Sequence, residues 1–106
     1  MPLVDTRDLP ETRRLPGWRA RIFNSASMTF AHYEFDAGAT IHEHHHEQEE
    51  VWNVVEGELE VTIAGARCVA RPGMVAIVPP DTAHSVRVLT DGRAIIVDHP
   101  LRWDFG

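Results

Sequence analysis

From residue 18 onward, short runs rich in Val, Ile, Phe and Thr alternate with turn residues. Such runs are typical of β-strands, and no long segment keeps the 3.6-residue period of an amphipathic helix. Turn signals at Glu56-Gly57, Arg71-Pro72-Gly73 and Asp91-Gly92 separate several of the runs. The pattern predicts eight strands: Arg19–Asn24, Met28–Phe35, Glu49–Glu56, Glu58–Ile63, Arg67–Val69, Met74–Val78, Ser85–Leu89 and Arg93–Asp98.

The alternation also predicts which side chains enter the core, because successive residues of a strand point to opposite faces. Three sets of residues are expected to face inward: Glu50, Trp52 and Val54; Leu59, Val61 and Ile63; and His84, Val86 and Val88. Many short strands with turn signals at this spacing predict an all-β fold, either a double-sheet jelly roll or a small barrel.

The first 17 residues contain three prolines and mixed charges and lack the alternation of the rest of the chain. We expect them to form an irregular arm, at 1–17, that lies over the domain or over a partner subunit. Residues 18–106 are then a single domain, because a chain of 106 residues is typical of one hydrophobic core.

Charge and cysteine content limit the functions that the protein could have. The formal net charge is −6 and the basic residues are scattered, which argues against a nucleic-acid surface and against binding to an anionic membrane. The N-terminal residues lack the apolar region of a signal peptide, and no later stretch is long enough to span a membrane. The single cysteine, Cys68, excludes an internal disulfide. These features predict a cytoplasmic protein with Cys68 buried as an apolar residue.

Candidate metal ligands are concentrated in the segment GATIHEHHHEQEEVWNVVEG, residues 38–57. His44, His46 and Glu50 are separated by even numbers of residues, so an extended strand would point all three to one face. His84 follows a Gly73 to Pro79 turn region and is a fourth candidate. Three imidazoles and one carboxylate suit a divalent Fe, Mn, Ni, Co, Cu or Zn ion and do not suit Ca²⁺. The alternative is a solvated polar turn that binds metal only adventitiously.

The same residues resemble the cupin family. The first cupin motif, Gly, five residues, His-x-His, three residues, Glu, six residues and Gly, fits at every defined position: Gly38, His44, His46, Glu50 and Gly57. The second motif fits at Gly73, Pro79 and His84, but Asp81 replaces a glycine and Val88 replaces an asparagine. The resemblance implies a germin-like or RmlC-like jelly-roll barrel of the small single-domain type. It also implies one divalent metal ion bound by His44, His46, Glu50 and His84.

The C-terminal Pro100 to Phe105 resembles the tail of many small cupins, including pectin-degradation cupins that open unsaturated uronate sugars. Those proteins also tend to carry a histidine two residues before the first ligand, as His42 does here. They usually have glutamine where this chain has Glu50, and Asp98 is an uncertain equivalent of an aspartate that they carry ahead of the tail.

Four protein ligands on a six-coordinate ion leave two open positions for water, dioxygen or an oxygenated acid. The first hypothesis is therefore a metal-dependent enzyme that acts on a small oxygenated organic molecule, by isomerisation or ring opening of a sugar or keto acid, by cyclisation, or as a dioxygenase. Candidate proton-transfer residues are His42, Asp98, Tyr33, Glu50, His32 and His99. The predicted pocket lining consists of Trp52, Val54, Phe30, Met74 and Ile77.

Two other hypotheses stay open. In one, the barrel is a non-catalytic sensor or storage protein that binds a metal or a small ligand; in the other, it is a structural barrel without a functional site. Open sheet edges also invite pairing, so we expect a homodimer in which the arm or an edge strand packs on the partner. No nucleic-acid or membrane partner is expected.

Overall fold

The computed structural model describes residues 3–103, which form a nearly all-β domain. Met1 and Pro2 of the predicted arm, and Asp104 and Phe105 of the predicted tail, lie outside the described residues, as does Gly106. One short 3-10 helix at Thr6–Asp8 precedes seven strands. The strands are β1 (Trp18–Asn24), β2 (Thr29–Phe35), β3 (Thr40–His44), β4 (Glu49–Ile63), β5 (Ala66–Ala70), β6 (Val75–Val78) and β7 (His84–His99). The predicted all-β jelly-roll class is confirmed.

Two of the predicted turns are wrong, because β4 and β7 each run through them. Glu56-Gly57 lies inside β4 and Asp91-Gly92 lies inside β7. The two glycines face each other, and a Cβ on Gly92 would overlap the carbonyl of Glu56. The glycines therefore mark a close approach between two long paired strands, which a turn signal cannot distinguish from a chain reversal. Strand β3, which is five residues long, is not among the predicted strands.

Across this close approach, the register of β4 against β7 shifts between Val54 and Leu59. Before the shift the even-numbered Trp52 and Val54 are buried, and after it the odd-numbered Leu59 and Val61 are buried. A one-residue shift moves every following side chain to the other face of a strand. The predicted inward sets on either side of Gly57 are both correct for this reason, with Ile63 half-buried.

Strands β4 and β7 consequently belong to both layers of the jelly roll. One layer has the order β6-β4-β7-β2-β1 and uses the first half of β4 and the second half of β7. The other has the order β5-β4-β7-β3 and uses the remaining halves. The core between them joins Trp18, Trp52 and Ile96 of the first layer to Leu59 and Val86 of the second.

The segment before β1 contacts its own domain at Thr12, whereas Leu3 and Val4 are 78% and 50% exposed. Thr12 pairs with Ala20 at the edge of β1 in an isolated bridge. Cys68 is exposed on the edge strand β5, so the prediction that it is buried is wrong. Among the described residues, no helix is long and apolar enough to cross a membrane.

Candidate metal centre

Four separate elements bring the predicted ligands together. His44 ends β3, His46 lies in the loop that follows, and Glu50 and His84 lie at the starts of β4 and β7. The prediction that one extended strand carries His44, His46 and Glu50 is therefore wrong, since the chain leaves the sheet between His44 and Glu49. The cross-strand pair His44 and His84 forms instead because β3 is antiparallel to β7.

Each of the three clustered imidazoles places Nδ1 against a backbone carbonyl two residues away. The pairs are His44 with the His42 oxygen at 2.8 Å, His46 with the Gln48 oxygen at 3.1 Å and His84 with the Thr82 oxygen at 2.8 Å. A carbonyl only accepts hydrogen bonds, so Nδ1 carries the proton in each ring. The lone pair of the neutral ring is then on Nε2, and metal-binding histidines are commonly oriented by a hydrogen bond of this kind.

The Nε2 atoms of His46 and His84 are buried and have no hydrogen-bond partner. They lie 3.5 Å from Oε1 and 3.2 Å from Oε2 of Glu50. A lone pair that faces a carboxylate at this distance is repelled unless a cation lies between them. Either protons on the imidazoles or a bound metal ion supplies that positive charge, and the two compete.

The spacing of the donor atoms also fits a metal ion. Candidate ligand atoms of His44, His46 and His84 lie within 4.8 Å of one another, and the same holds for His46, Glu50 and Asp98. An ion about 2.1 Å from its ligands separates neighbouring ligand atoms by about 3.0–3.4 Å, depending on its geometry. The imidazole and carboxylate donor set fits a divalent transition metal, and it does not distinguish one such metal from another.

Behind the histidines lies a buried group of charged side chains. Glu50 and Asp98 are 2% and 0% exposed and are opposite each other on β4 and β7. Arg102 Nη1 lies 3.2 Å from Glu50 Oε1 and 3.4 Å from Asp98 Oδ2. Trp52 Nε1 donates to Glu50 Oε2 at 2.8 Å. Buried carboxylates are tolerated only with partners of this kind.

The segment that carries Arg102 is fixed by hydrogen bonds to two other elements. The Arg102 backbone N–H donates to Thr29 Oγ1 at 2.9 Å, and the Thr29 hydroxyl donates to Asn24 at 2.7 Å. Gln48 Nε2 donates to the Leu101 carbonyl at 3.0 Å. The residues after β7 are thus held against both the first layer and the metal-ligand loop.

The charged groups shift one another's pKa values. Burial would raise the pKa of Glu50, but the imidazoles of His46 and His84 that face its carboxylate hold the pKa well below its usual range. Burial and the nearby Glu50 charge raise the pKa of Asp98 to about 8. Burial alone would lower the pKa of His84, but the facing Glu50 carboxylate and the Thr82 carbonyl outweigh burial, and the pKa is raised. Burial lowers the pKa of His44.

The candidate metal centre opens into a cavity of about 360 Å³. Its walls come from the arm, from β2, from β3 with its following loop, from β4 and from the segment after β7. The lining residues are Arg14, Leu15, Tyr33, Ile41, His42, His44, His45, His46, Glu50, Trp52 and Arg102.

The structure corrects most of the predicted pocket lining. Trp52 lines the cavity, but Val54 is buried in the core away from it. Met74 and Ile77 are 48% and 58% exposed, and Phe30 stacks on Phe23 at 4.9 Å on the outward face. The periodicity identified the apolar residues of these strands but not which of the two faces each one occupies.

The candidate proton-transfer residues separate into three groups. Tyr33, His42 and Glu50 line the cavity. Asp98 lies behind Glu50, where Arg102 reaches it. His32 packs against Phe23 on the outward face, and His99 is exposed at the end of β7.

Five lining residues were not predicted: Arg14, Leu15, Ile41, His45 and Arg102. Arg102 belongs to the tail motif, which pointed to a subgroup of proteins but not to a contact with the site. Ile41 lies on the missed strand β3. Arg14 and Leu15 lie in the arm, where no periodicity connects the sequence to the cavity.

The departures from the second motif leave the site intact. Asp81, which replaces a glycine, has φ +54° and its N–H donates to the His46 carbonyl at 2.8 Å. Aspartate tolerates this left-handed conformation better than most residues. Val88, which replaces an asparagine, is a buried core residue. The loop that carries His84 is thus hydrogen-bonded to the loop that carries His46.

Comparisons with known proteins agree with this geometry. The family model described as a cupin domain matches residues 31–100. A comparison with curated protein sequences gives no significant match. An RmlC-like cupin from Shewanella frigidimarina is similar in structure, with a TM-score of 0.91 and 26% identity over 100% of this chain and 96% of the other.

Two further solved structures are similar. KdgF from Halomonas sp. has a TM-score of 0.90 and 25% identity, and the match covers 98% of this chain and 97% of that one. TT1209 from Thermus thermophilus has a TM-score of 0.74 and 28% identity over 94% and 98% of the two chains. The motif spacing, the jelly-roll topology and the match over residues 31–100 lead to one conclusion: the chain belongs to the cupin family.

Proposed function

We propose that this cupin is a metal-dependent enzyme that isomerises or opens the ring of a small sugar acid or keto acid. One observation carries the proposal: a single cavity joins the metal-ligand cluster to the side chains of Arg14 and Tyr33. A bound divalent ion, held by His44, His46, Glu50 and His84, supplies Lewis-acid polarisation of a substrate oxygen.

Charge in the cavity favours an anionic substrate. Arg102 is directed to Glu50 and Asp98 at the base, whereas Arg14 comes from the arm. Arginine recognises carboxylates with paired N–H donors. We therefore assign Arg14 as the residue that binds the substrate carboxylate at a distance from the metal. This polar lining fits an acid better than the apolar cavity expected from the sequence.

Tyr33 is suited to orient the substrate and to hold a proton. Its ring stacks on Trp52 with an interplanar angle of 14° and a centroid separation of 6.0 Å. Burial and the nearby Glu50 charge raise the pKa of Tyr33 above its usual value. The hydroxyl therefore stays protonated at neutral pH and serves as a hydrogen-bond or proton donor, not as a base. Glu50, at the metal side of the cavity, is the proposed proton acceptor.

The comparisons support the sugar-acid substrate class but do not identify the substrate. The resemblance to pectin-degradation cupins rests on His42 and the tail, and KdgF is 25% identical over nearly the whole length of both chains. Glu50 stands where that subgroup usually carries glutamine. We propose that this carboxylate adds a base to a site that otherwise binds a similar substrate.

A substrate screen tests the proposal. Metal-loaded protein is incubated with unsaturated uronates, keto acids and catechols, and product formation and oxygen uptake are measured. We expect turnover of an acid without oxygen uptake, loss of kcat in Glu50→Gln and a raised KM in Arg14→Gln. Arg67→Gln, an exposed arginine away from the cavity, is the control. Oxygen-dependent turnover of a catechol would favour a dioxygenase, and saturable binding without turnover would favour a sensor.

A further inference from the structure

Gln48 is a buried polar residue directly before β4. It is 7% exposed, although glutamine usually lies at the surface of a domain. His46 lies two positions before it and Glu50 two positions after it. Because a buried amide is tolerated only when it has hydrogen-bond partners, the partners of Gln48 indicate what it does between the two candidate ligands.

Gln48 makes hydrogen bonds in two directions. Its backbone carbonyl accepts from His46 Nδ1 at 3.1 Å, which leaves the Nε2 of that imidazole facing Glu50. Its side-chain Nε2 donates to the Leu101 carbonyl at 3.0 Å, across 53 residues of sequence. The side-chain hydrogen bond therefore holds in place the backbone carbonyl that orients a candidate metal ligand.

The segment that Gln48 reaches, residues 100–103, carries Arg102. This segment forms no helix or strand, so its position depends on hydrogen bonds that involve side chains. The Arg102 N–H donates to Thr29 Oγ1 at 2.9 Å, and Arg102 Nη1 lies 3.2 Å from Glu50 Oε1. The segment is therefore held by Gln48 from the ligand loop and by Thr29 from β2.

These contacts form a ring around the candidate metal centre. From His46 the ring passes through Gln48 to the segment after β7. From that segment the Arg102 guanidinium returns to Glu50, whose Oε1 lies 3.5 Å from His46 Nε2. Two members of the ring are candidate ligands, so a bound ion and the position of Arg102 are connected through the remaining members.

We infer that Gln48 is a positioning residue that couples the metal site to Arg102. Its carbonyl orients His46 for the ion and its amide holds the Arg102 segment, so each event favours the other. Loss of an outer partner of a metal-binding histidine typically weakens metal binding by about 10- to 100-fold. Coupling is reciprocal, so the ion stabilises the Arg102 segment by the same factor by which that segment strengthens metal binding.

Asn53 provides a comparison, because it makes a hydrogen bond of the same chemical kind away from the site. Its Nδ2 donates to the Ile95 carbonyl at 3.4 Å. Asn53 alternates with the buried Trp52 and Val54, so its side chain points away from the core and the cavity. Such an anchor joins two strands and should not respond to the ion.

The affinity of the chelated full-length protein for Zn²⁺, measured by competition with a chelating dye, tests the effect of Gln48 on the ligands. Gln48→Met removes the amide donor, keeps the length of the side chain and should weaken Zn²⁺ binding by about tenfold. Asn53→Leu is the matched control and should stay within about twofold of wild type. Equal affinities of Gln48→Met and wild type would overturn the inference.

Hydrogen exchange of the Arg102 amide tests the coupling. This N–H donates to Thr29, so it is protected while the segment is in place. In wild type, Zn²⁺ should slow its exchange by about tenfold, the same factor by which Gln48→Met weakens Zn²⁺ binding. In Gln48→Met the ion should change the exchange little. A wild-type amide that exchanges equally fast with and without Zn²⁺ would overturn the inference, because a purely structural anchor predicts that result.

Thr29→Val tests the coupling from the other end of the segment, and it is informative even if Gln48→Met does not fold. Valine is close to threonine in shape but cannot accept the Arg102 N–H. If the segment supports the ligand loop through Gln48, this change should also weaken Zn²⁺ binding. Folded Thr29→Val, checked by circular dichroism, with the Zn²⁺ affinity of wild type would overturn the inference.

The inference rests on the proposed function in one respect, because the position of Arg102 affects turnover through Glu50, the proposed proton acceptor. The two proposals fail separately. A wild type that turns over no acid, together with the expected affinity and exchange results, would overturn the proposed reaction and support the coupling through Gln48. Turnover by wild type, with unchanged Zn²⁺ affinity in both Gln48→Met and Thr29→Val, would overturn the coupling and support the reaction.

Discussion

The two sides of the candidate metal centre are built in different ways. On the imidazole side, His44 and His46 are half-buried at the mouth and in a loop, and each is oriented by a backbone carbonyl. On the carboxylate side, Glu50 and Asp98 are fully buried on paired strands and share Arg102. His84 joins the two sides, because its Nδ1 contacts a carbonyl and its Nε2 faces Glu50.

This difference indicates that the two sides have separate roles. The rings of His44 and His46 each keep a hydrogen bond to a backbone carbonyl without metal, and neither residue is fully buried. Glu50 is a buried charge and Asp98 is a buried carboxyl group, so their partners contribute to the stability of the domain whether or not metal is present. Substitutions on the imidazole side should therefore weaken metal binding, and substitutions on the carboxylate side should also lower the stability of the fold.

The largest expected effect is the loss of metal from a variant of the imidazole side. The double variant His44→Ala/His46→Ala removes two ligands and should lose its metal almost completely, while the free energy of unfolding of the metal-free protein changes by less than about 1 kcal/mol. Elemental analysis and urea unfolding after chelation measure the two quantities. His99→Ala, an exposed histidine outside the cluster, is the control. Stoichiometric metal in the double variant would contradict the ligand assignment.

Substitutions on the carboxylate side should instead lower the stability of the metal-free fold. Arg102→Ala leaves the Glu50 charge buried without its cation and removes a hydrogen-bond donor from Asp98, which should cost the metal-free protein about 3 kcal/mol of unfolding free energy. Urea unfolding at pH 7 measures it. Arg71→Ala is the matched control, since the Arg71 to Glu58 ion pair at 2.9 Å is exposed and should contribute less than about 1 kcal/mol. Equal losses in the two variants would argue against a structural role for the buried network.

His84 allows a test of the competition between protons and metal. In the metal-free protein its pKa is raised, because Glu50 and the Thr82 carbonyl stabilise the imidazolium. A raised histidine pKa stabilises the fold below the unfolded-state pKa of about 6.5, and that contribution is lost as the pH rises through the folded-state pKa. Metal binding requires the neutral ring.

The increase in melting temperature caused by added Zn²⁺ should therefore be larger at pH 8 than at pH 5.5. Thermal unfolding with and without the ion at both pH values measures it, and the His44→Ala/His46→Ala variant serves as the control with little increase at either pH. An increase that is the same at both pH values would show that protons and metal do not compete at this cluster.

The two sides of the candidate metal centre were not equally predictable from the sequence. The motif spacing identified His44, His46, Glu50 and His84 as the metal-ligand candidates, because the pattern reflects a fixed topology. Strand parity does not explain why these residues converge, since it describes one strand and the site uses three strands and a loop. The jelly-roll class followed from short alternating runs, which are a local property.

The carboxylate side was harder to predict. Arg102 reaches Glu50 from 52 residues away, and the Glu50 to Asp98 pair depends on the register of β4 against β7. The one-residue shift near Gly57 sets which layer each half of β4 enters, and glycine alone does not distinguish such a shift from a turn. Asp98 was a candidate proton-transfer residue, but its partners depend on contacts between residues that are distant in sequence.

The smallest expected effect concerns the titration of Asp98 in the metal-free protein. Burial and the Glu50 charge raise its pKa to about 8. Because this folded-state pKa lies above the unfolded value, the associated stability is fully present at low pH and is lost as the pH rises through about 8. Between pH 7 and 9.5, wild type should lose on the order of 1–2 kcal/mol from this group. Asp98→Asn cannot ionise and keeps an oxygen for Arg102, so its stability should fall less over that range.

Urea unfolding of both proteins after chelation measures the difference, in which other titrating groups cancel. Parallel pH profiles would mean that Asp98 is already ionised at pH 7 and that Arg102 compensates both carboxylates.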